Sequence, residues 1–422
     1  MDNQDTQDGN VSKKWLMAIL VVAACVRFLA CMVMPPDKKP WSDSAQYVNL
    51  GTSLADGHGY RLTEGNCWPG KPTIIRTPGW PLLLSIPFQV APESKRWSVA
   101  RALTVSLDLL NVCLLVLLAR GIGLSSWASL SAGGLYAINP VTIYYCPLVG
   151  VEVPGITTVL LFLLVGVFGQ CRTLFWCVAT GVVAGVATLV RSNYLLIPVI
   201  WGAGMLWQGR RRFWPVLGKT LIVGGVALLI LSPWLVRNAV VFGAFPVFGA
   251  GGGETFFGGN NDLAADPHNN LWGYIVQPGG IPNAVPLSVL ASRMNEVEVD
   301  RYWMCQGWEW LKTHPGKIPV LVAGKLRRAF IPIPYSRSPG VWLVSAYRMC
   351  VMAAAIAALI YAFRRRLINM TGIGWWFGSV ALAHLLTAII FCGVMRYIVA
   401  FEMLLVIPAG WAMARLFCRR QT

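Results

Sequence analysis

Ten stretches of the chain are long and apolar enough, or nearly so, to cross a bilayer, and polar sequence breaks them into blocks. They cover residues 15–34, 98–119, 126–146, 153–170, 174–190, 193–208, 214–232, 341–363, 373–392 and 398–417. A spanning helix needs about 20 mostly apolar residues, so the pattern predicts an all-α polytopic membrane protein of about ten transmembrane helices. The runs at 174–190 and 193–208 are the shortest, and Arg191 divides them. The polar breaks define three parts. Residues 1–232 form an N-terminal membrane module with a first polar loop at 35–97; residues 233–340 form a larger polar segment; residues 341–422 carry the last three spans.

Within the first loop, Asp43 opens a short helical pattern that places Tyr47 one turn along the same face. The second polar segment starts Gly-rich and turn-forming at 249–262. An amphipathic helix follows over 289–315, closed by Pro315, and then a stretch at 317–332 that is apolar on one side. The latter carries Lys325, Arg327 and Arg328 and is expected to lie along the membrane interface. Glu296, Glu298 and Asp300 read as a solvated helix face, with cation binding as the alternative.

Charge placement assigns sides to these elements. Lys13, Lys14, Arg120, Arg172, Arg210–Arg212, Arg364–Arg366, Arg419 and Arg420 all fall on one side if the N-terminus is cytoplasmic. Cytoplasmic loops carry such an excess of Lys and Arg. Both termini are then inside and both polar segments outside. The run after Lys13 and Lys14 contains Arg27 and lacks a small-x-small cleavage site, which predicts an uncleaved first helix.

Composition agrees. The chain is 56% hydrophobic and only 13% charged, against about 25% charged in soluble domains. Nineteen Trp and twelve Tyr suit aromatic belts at both interfaces. The net charge of +17 follows from the membrane anchors and does not call for nucleic acid as a partner. The eleven cysteines show no metal-ligand spacing. Cys67 and Cys305 both fall in external segments, which leaves a disulfide between them open.

The candidate chemistry lies in a few ionisable groups. Between residues 94 and 253 the only acids are Asp108 and Glu152, and after Glu309 the only one is Glu402. An acid inside a span usually faces a partner or a cavity, and packing against an arginine is the plain expectation for Asp108 and Glu402. Glu152 sits at the external end of a span, either in a cavity or solvated among headgroups. Asp43 is either a helix N-cap or a reactive carboxylate. Arg76, Arg191, Arg237 and Arg396 lie at external helix ends, where the charge bias makes arginine less expected. A guanidinium binds phosphate oxygens bidentately and keeps its charge; lipid headgroups or ion pairs are the bland alternatives.

The motifs WSDSAQYVNLGTSLADGHGY, RTPGWPLLL, LVRSNYLLIP, SPWLVRNAVVFGAFP, GWEWLKTHPGKIPVLVAGKLRRAF and MRYIVAFEMLL, in this order, carry a resemblance. The chain resembles the GT-C glycosyltransferases, more narrowly the bacterial family-39-like branch with the aminoarabinose transferase and relatives of protein O-mannosyltransferases. The resemblance implies an enzyme moving a sugar from a polyprenyl-phosphate donor to an external acceptor hydroxyl. It implies Asp43 as the catalytic acid of the first loop, with Arg76 and the Arg396–Tyr397 pair as donor phosphate ligands. Arg191 and Arg237 join the donor-binding candidates, and Tyr47, Glu152 and Asn260 the substrate cavity. The aminoarabinose transferase pairs two acids at the first-loop position, whereas Ser44 follows Asp43 here. No D-x-D is present there, so neither cofactor nor divalent metal is expected. The expected partners are a polyprenyl-phosphate sugar, membrane lipids and a lipid, glycan or protein acceptor, in the inner membrane of a bacterium.

Two rival readings stay open on sequence. A transporter or flippase of lipid-linked saccharide would carry acids and broken helices near the bilayer midplane. A non-catalytic partner in envelope assembly would tolerate loss of Asp43 and Arg76.

Overall fold

The computed structural model describes residues 2–244, 249–331, 338–365, 367 and 372–418, so Arg366, Arg419 and Arg420 of the charge pattern lie outside the described residues. The N-terminal part contains α1 (Asp2–Val33), α2 (Asp43–Ala55), α3 (Gly79–Phe88), α4 (Arg96–Gly121), α5 (Ser126–Ala137), α6 (Pro140–Tyr145), α7 (Glu152–Gly169), α8 (Leu174–Val190), α9 (Leu196–Gln208) and α10 (Phe213–Phe242). The second polar segment folds into α11 (Gly252–Gly259), α12 (Asp262–Ala265), α13 (Leu287–Ala291), α14 (Glu296–Thr313) and α15 (Ile318–Phe330). The chain closes with α16 (Pro339–Arg364), α17 (Ile373–Ile390), α18 (Val399–Leu404) and α19 (Val406–Cys418). Among the described residues there is no strand, only an isolated bridge between Arg61 and Pro72.

Seven helical segments among the described residues are long and apolar enough to span a membrane: Lys13–Val33, Glu93–Gly121, Glu152–Gly169, Arg210–Phe242, Pro339–Arg364, Ile373–Ile390 and Val399–Leu416. The protein is an integral membrane protein. The other three expected spans are shorter or broken. The run at 126–146 splits into α5 and α6 at Asn139–Pro140. Proline disfavours a helical residue before it, and the Asn139 side chain caps the new helix by accepting from Val141 N at 2.9 Å. Helices α8 and α9 have 17 and 13 residues, the former at the lower limit of a crossing.

Helix α10 departs the other way, running ten residues past its expected end at 232 and through Pro233. Proline removes the bond to the carbonyl four residues back, here Leu229 O. Ser232 Oγ donates to that oxygen at 2.8 Å, so the helix continues and carries Arg237 into the second polar segment.

Close backbone packing binds the bundle. A Cβ on Gly181 or Gly185 of α8 would lie 2.7 Å from Val223 O or 3.0 Å from Ala227 O of α10, the small-residue approach that favours helix association in lipid. As expected, Asp108 and Glu402 pair with arginines. Arg27 meets Asp108 at 2.6 Å with both side chains fully buried, and Arg348 pairs with Glu402.

Both polar segments fold together at one end of the bundle. Glu296 of α14 is 4% exposed and accepts from Thr73 Oγ1 at 2.7 Å, Ile74 N at 2.8 Å and Asn66 Nδ2 at 3.3 Å. Asp300 accepts from Gly251 N and Gly253 N at 2.9 and 2.7 Å. Of the face expected to be solvated, Glu298 is exposed, Asp300 holds the start of α11, and Glu296 is buried against the first loop and joins the two segments. The single helix expected over 289–315 is two, because Asn295 and Glu298 form a capping box that starts α14. Lys325, expected on the polar face of α15, is fully buried. Cys67 and Cys305 are free thiols.

Candidate functional site

Ser42, not Asp43, caps α2, accepting from Ala45 N at 3.2 Å. Asp43 occupies the first helical position and is free to turn inward. Its two oxygens meet two arginines from distant parts of the chain. Oδ1 pairs with Arg76 Nη2, and Oδ2 lies 2.5 Å from Arg396 Nη2. Arg396 reaches on to Glu152 Oε1 at 2.9 Å. Glu152 opens α7 and is 2% exposed, which rules out a solvated headgroup-level carboxylate.

Burial alone would raise the Asp43 carboxyl, but Arg76, Arg396 and Arg191 outweigh it and hold the group well below the usual carboxylate range. Asp43 is thus an anion a quarter exposed at the end of the bundle where the two polar segments meet. Tyr47 lies beneath the pair, its ring 5.6 Å from the Arg76 guanidinium. Its phenol is pushed up to about 12, chiefly by burial.

The loop at 76–79 is held against the turn that carries Arg191. Thr77 Oγ1 donates to Val190 O at 2.9 Å, and a Cβ on Gly79 would lie 2.7 Å from Leu189 C and Val190 N. Only glycine allows that approach. Arg191, 7% exposed, stacks over the Tyr397 ring at 5.0 Å, and its Nη1 has no hydrogen-bond partner. A buried donor without a partner costs about 1–3 kcal/mol, more when charged. Three guanidiniums thus gather around the two carboxylates of Asp43 and Glu152, and one retains an unused donor.

The remaining sequence candidates are placed elsewhere. Arg237, expected among the phosphate ligands, spends its donors on Thr73 O and Asn238 Oδ1 at 2.9 Å and Tyr60 O at 3.1 Å. It braces the first loop. Asn260, expected in the substrate cavity, lies beside Lys325 at the wall of a separate, mainly apolar cleft of about 380 Å3 between α14, α15 and the end of α17. Lys325 Nζ donates to Asn260 Oδ1 at 2.9 Å, Ile389 O at 3.0 Å and Ile390 O at 3.3 Å, capping α17. Burial lowers this amine to about 7.

Sequence reasoning missed two groups near the cluster. Gln46 Oε1 accepts from Arg76 Nε at 2.8 Å while its amide donates to Gly65 O at 2.7 Å, aiming the arginine. Its position three residues after Asp43 on a helix was the available signal. Glu254 of α11 lies within electrostatic reach of Arg76 and Asp43, and no local pattern announces it. Among the described residues, no three His, Cys, Asp or Glu side chains converge as metal ligands.

An all-helical polytopic bundle whose two linked loops cover a buried charged cluster has the architecture of the GT-C glycosyltransferases, and the chain has that fold. Residues 75–236 match the family described as dolichyl-phosphate-mannose-protein mannosyltransferase. The apo oligosaccharyltransferase of Archaeoglobus fulgidus superposes with TM-score 0.54 at 13% identity, over 96% of this chain and 51% of that one. The same archaeal protein with an inhibitory peptide and a dolichol-phosphate gives 0.50 at 12% identity, over 96% and 51%. ArnT from Cupriavidus metallidurans bound to undecaprenyl phosphate gives 0.44 at 15% identity, over 95% and 78%. The chain spans about half the length of the archaeal enzyme. No curated protein matches it in sequence.

Proposed function

We propose that the protein is an inverting glycosyltransferase that moves a sugar from a polyprenyl-phosphate donor to an acceptor hydroxyl at the external membrane face. The observation that carries this reading is Asp43 held between Arg76 and Arg396, beside Arg191 with an unpaired Nη1. A donor phosphodiester bears one negative charge, which matches the excess of three guanidiniums over two carboxylates. The phosphate takes over the arginine donors and releases Asp43. The freed carboxylate removes the acceptor proton as the new C–O bond forms, which is general-base work. The bond from the anomeric carbon to the phosphate oxygen breaks on the opposite side, its electron pair leaving with the polyprenyl phosphate. Fixed guanidiniums stabilise the charge developing there, and the anchored lipid supplies proximity. The matched segment at 75–236 includes Arg76, Glu152 and Arg191 and supports the donor class.

The reading places the protein in the inner membrane of a bacterium, with both termini cytoplasmic and the cluster outside, as the Lys and Arg distribution favours. It calls for no cofactor or divalent ion, since Ser44 stands where a second acid would complete a ligand pair. Mass spectrometry of envelope glycolipids and glycoproteins from a deletion strain tests it. A sugar modification disappears, returns with the wild-type gene and stays absent with Asp43→Asn at normal protein level. An unchanged envelope contradicts it.

A further inference from the structure

The first turn of α11 is wedged between the two arginine-bearing segments of the site. On one side Ala250 N donates to Ile74 O at 2.8 Å, two residues before Arg76, and a Cβ on Gly249 would lie 2.6 Å from that carbonyl. On the other side Thr255, whose Oγ1 donates to Gly251 O at 2.7 Å, stands near Tyr397, the neighbour of Arg396. Asp300 fixes the turn through Gly251 N and Gly253 N. Glu254 is carried between these anchors. It is half-buried and makes no hydrogen bond or ion pair with any described residue, whereas Asp43 and Asp300, the acids within its electrostatic reach, are both engaged.

We propose that Glu254 binds the acceptor, accepting a hydrogen bond from a second O–H beside the attacking one, leaving the attacking hydroxyl's single proton to Asp43 and excluding acceptors with a phosphate at the attacking end. The inference rests on the transfer reaction above. Once the donor phosphate occupies the guanidiniums, the free charges on the loop side are the released Asp43 and this carboxylate. That second O–H donates a charge-assisted hydrogen bond to it. A phosphate brought to the same place faces a like charge with no cation left to pair, a repulsive element that gives specificity. Arg76, Asp43 and Cys67 of the first loop and Asp300 of α14 are the titratable groups facing Glu254. Burial raises its carboxyl, Arg76 opposes, and Asp300 and Asp43 add to the rise, which makes the anion a better hydrogen-bond acceptor.

The test uses Glu254→Gln and Glu254→Asp, each expressed in the deletion strain and each purified in detergent for binding of undecaprenyl phosphate. Expected for Glu254→Gln is a loss of sugar modification of about tenfold or more, with undecaprenyl phosphate affinity as in wild type. Glu254→Asp recovers part of the modification, and the modified atom is a hydroxyl oxygen with no phosphate attached. Wild-type modification by Glu254→Gln, a sugar linked to phosphate, or parallel loss of undecaprenyl phosphate binding overturns the assignment. A wild-type gene that restores no sugar at all removes the transfer reaction itself, and is told apart from these results by the wild-type control.

Discussion

Two buried groupings of arginine and carboxylate differ in what they leave over. Inside the bundle, Arg27 uses Asp108, the carbonyls of Tyr136 and Ala137 and the hydroxyl of Thr142, while Tyr136 Oη satisfies the other Asp108 oxygen. Charges cancel and every donor is spent. Where the two polar segments meet, three arginines gather around two carboxylates, Arg191 Nη1 is unpaired, and Asp43 is a quarter exposed. The same residue types thus make a closed joint in one place and leave a charge and a donor unspent in the other. The distinguishing quantities are the leftover charge and the leftover donor, which arginine content alone does not reveal.

That contrast breaks most visibly at its acids. Asp43→Asn should cut sugar transfer by about a hundred- to ten-thousand-fold, the usual range for a general base, with the unfolding temperature in detergent nearly unchanged. Equal loss of fold and activity would make Asp43 a joint as well. Arg27→Met should instead cost about 3–5 kcal/mol of stability, because it strands a buried carboxylate. Loss of folded protein in a thermal unfolding assay reads this out; a fold as stable as wild type would contradict it. Arg191→Gln sharpens the comparison from the other side. Undecaprenyl phosphate binding should weaken about tenfold with loss of one charged donor, whereas Arg237→Gln should leave binding close to wild type and lower thermal stability. Binding insensitive to Arg191 would leave its free donor without a role.

The smallest effect concerns Lys325. Its folded pKa of about 7 lies below the unfolded value of about 10.4. Between these values the unfolded chain binds more protons, so stability rises with pH. The unfolding temperature should climb from pH 7 to pH 9 and do so less in Lys325→Met. Equal slopes would show that this amine stays charged when buried.

Much of the frame was legible because lipid imposes it. Long apolar runs and the Lys and Arg excess report directly on spans and on which segments share a side, and the two polar segments do fold together. Sequence also singled out Asp43, Arg76, Arg396 and Glu152, which the fold brings into contact. Their arrangement was not legible. Nothing in the spacing of these residues announces that Asp43 is bonded to both Arg76 and Arg396. Tertiary partners decided the other departures. Glu296 and Lys325 look solvated along their own helices and become buried only because Thr73, Asn260 and the end of α17 arrive from elsewhere. Pro233 fails to stop α10 because a neighbouring serine satisfies the freed carbonyl. The break at Asn139–Pro140 and the cap at Asn295 are local signals that sequence does contain.

A structure of the protein with undecaprenyl phosphate bound tests the central claim most directly. The expected result is a phosphate held by Arg76, Arg396 and Arg191, with the Asp43 carboxylate released from both of its arginines and facing the phosphate across an open space. A phosphate bound elsewhere, with the Asp43–Arg76 and Asp43–Arg396 pairs intact, would contradict it.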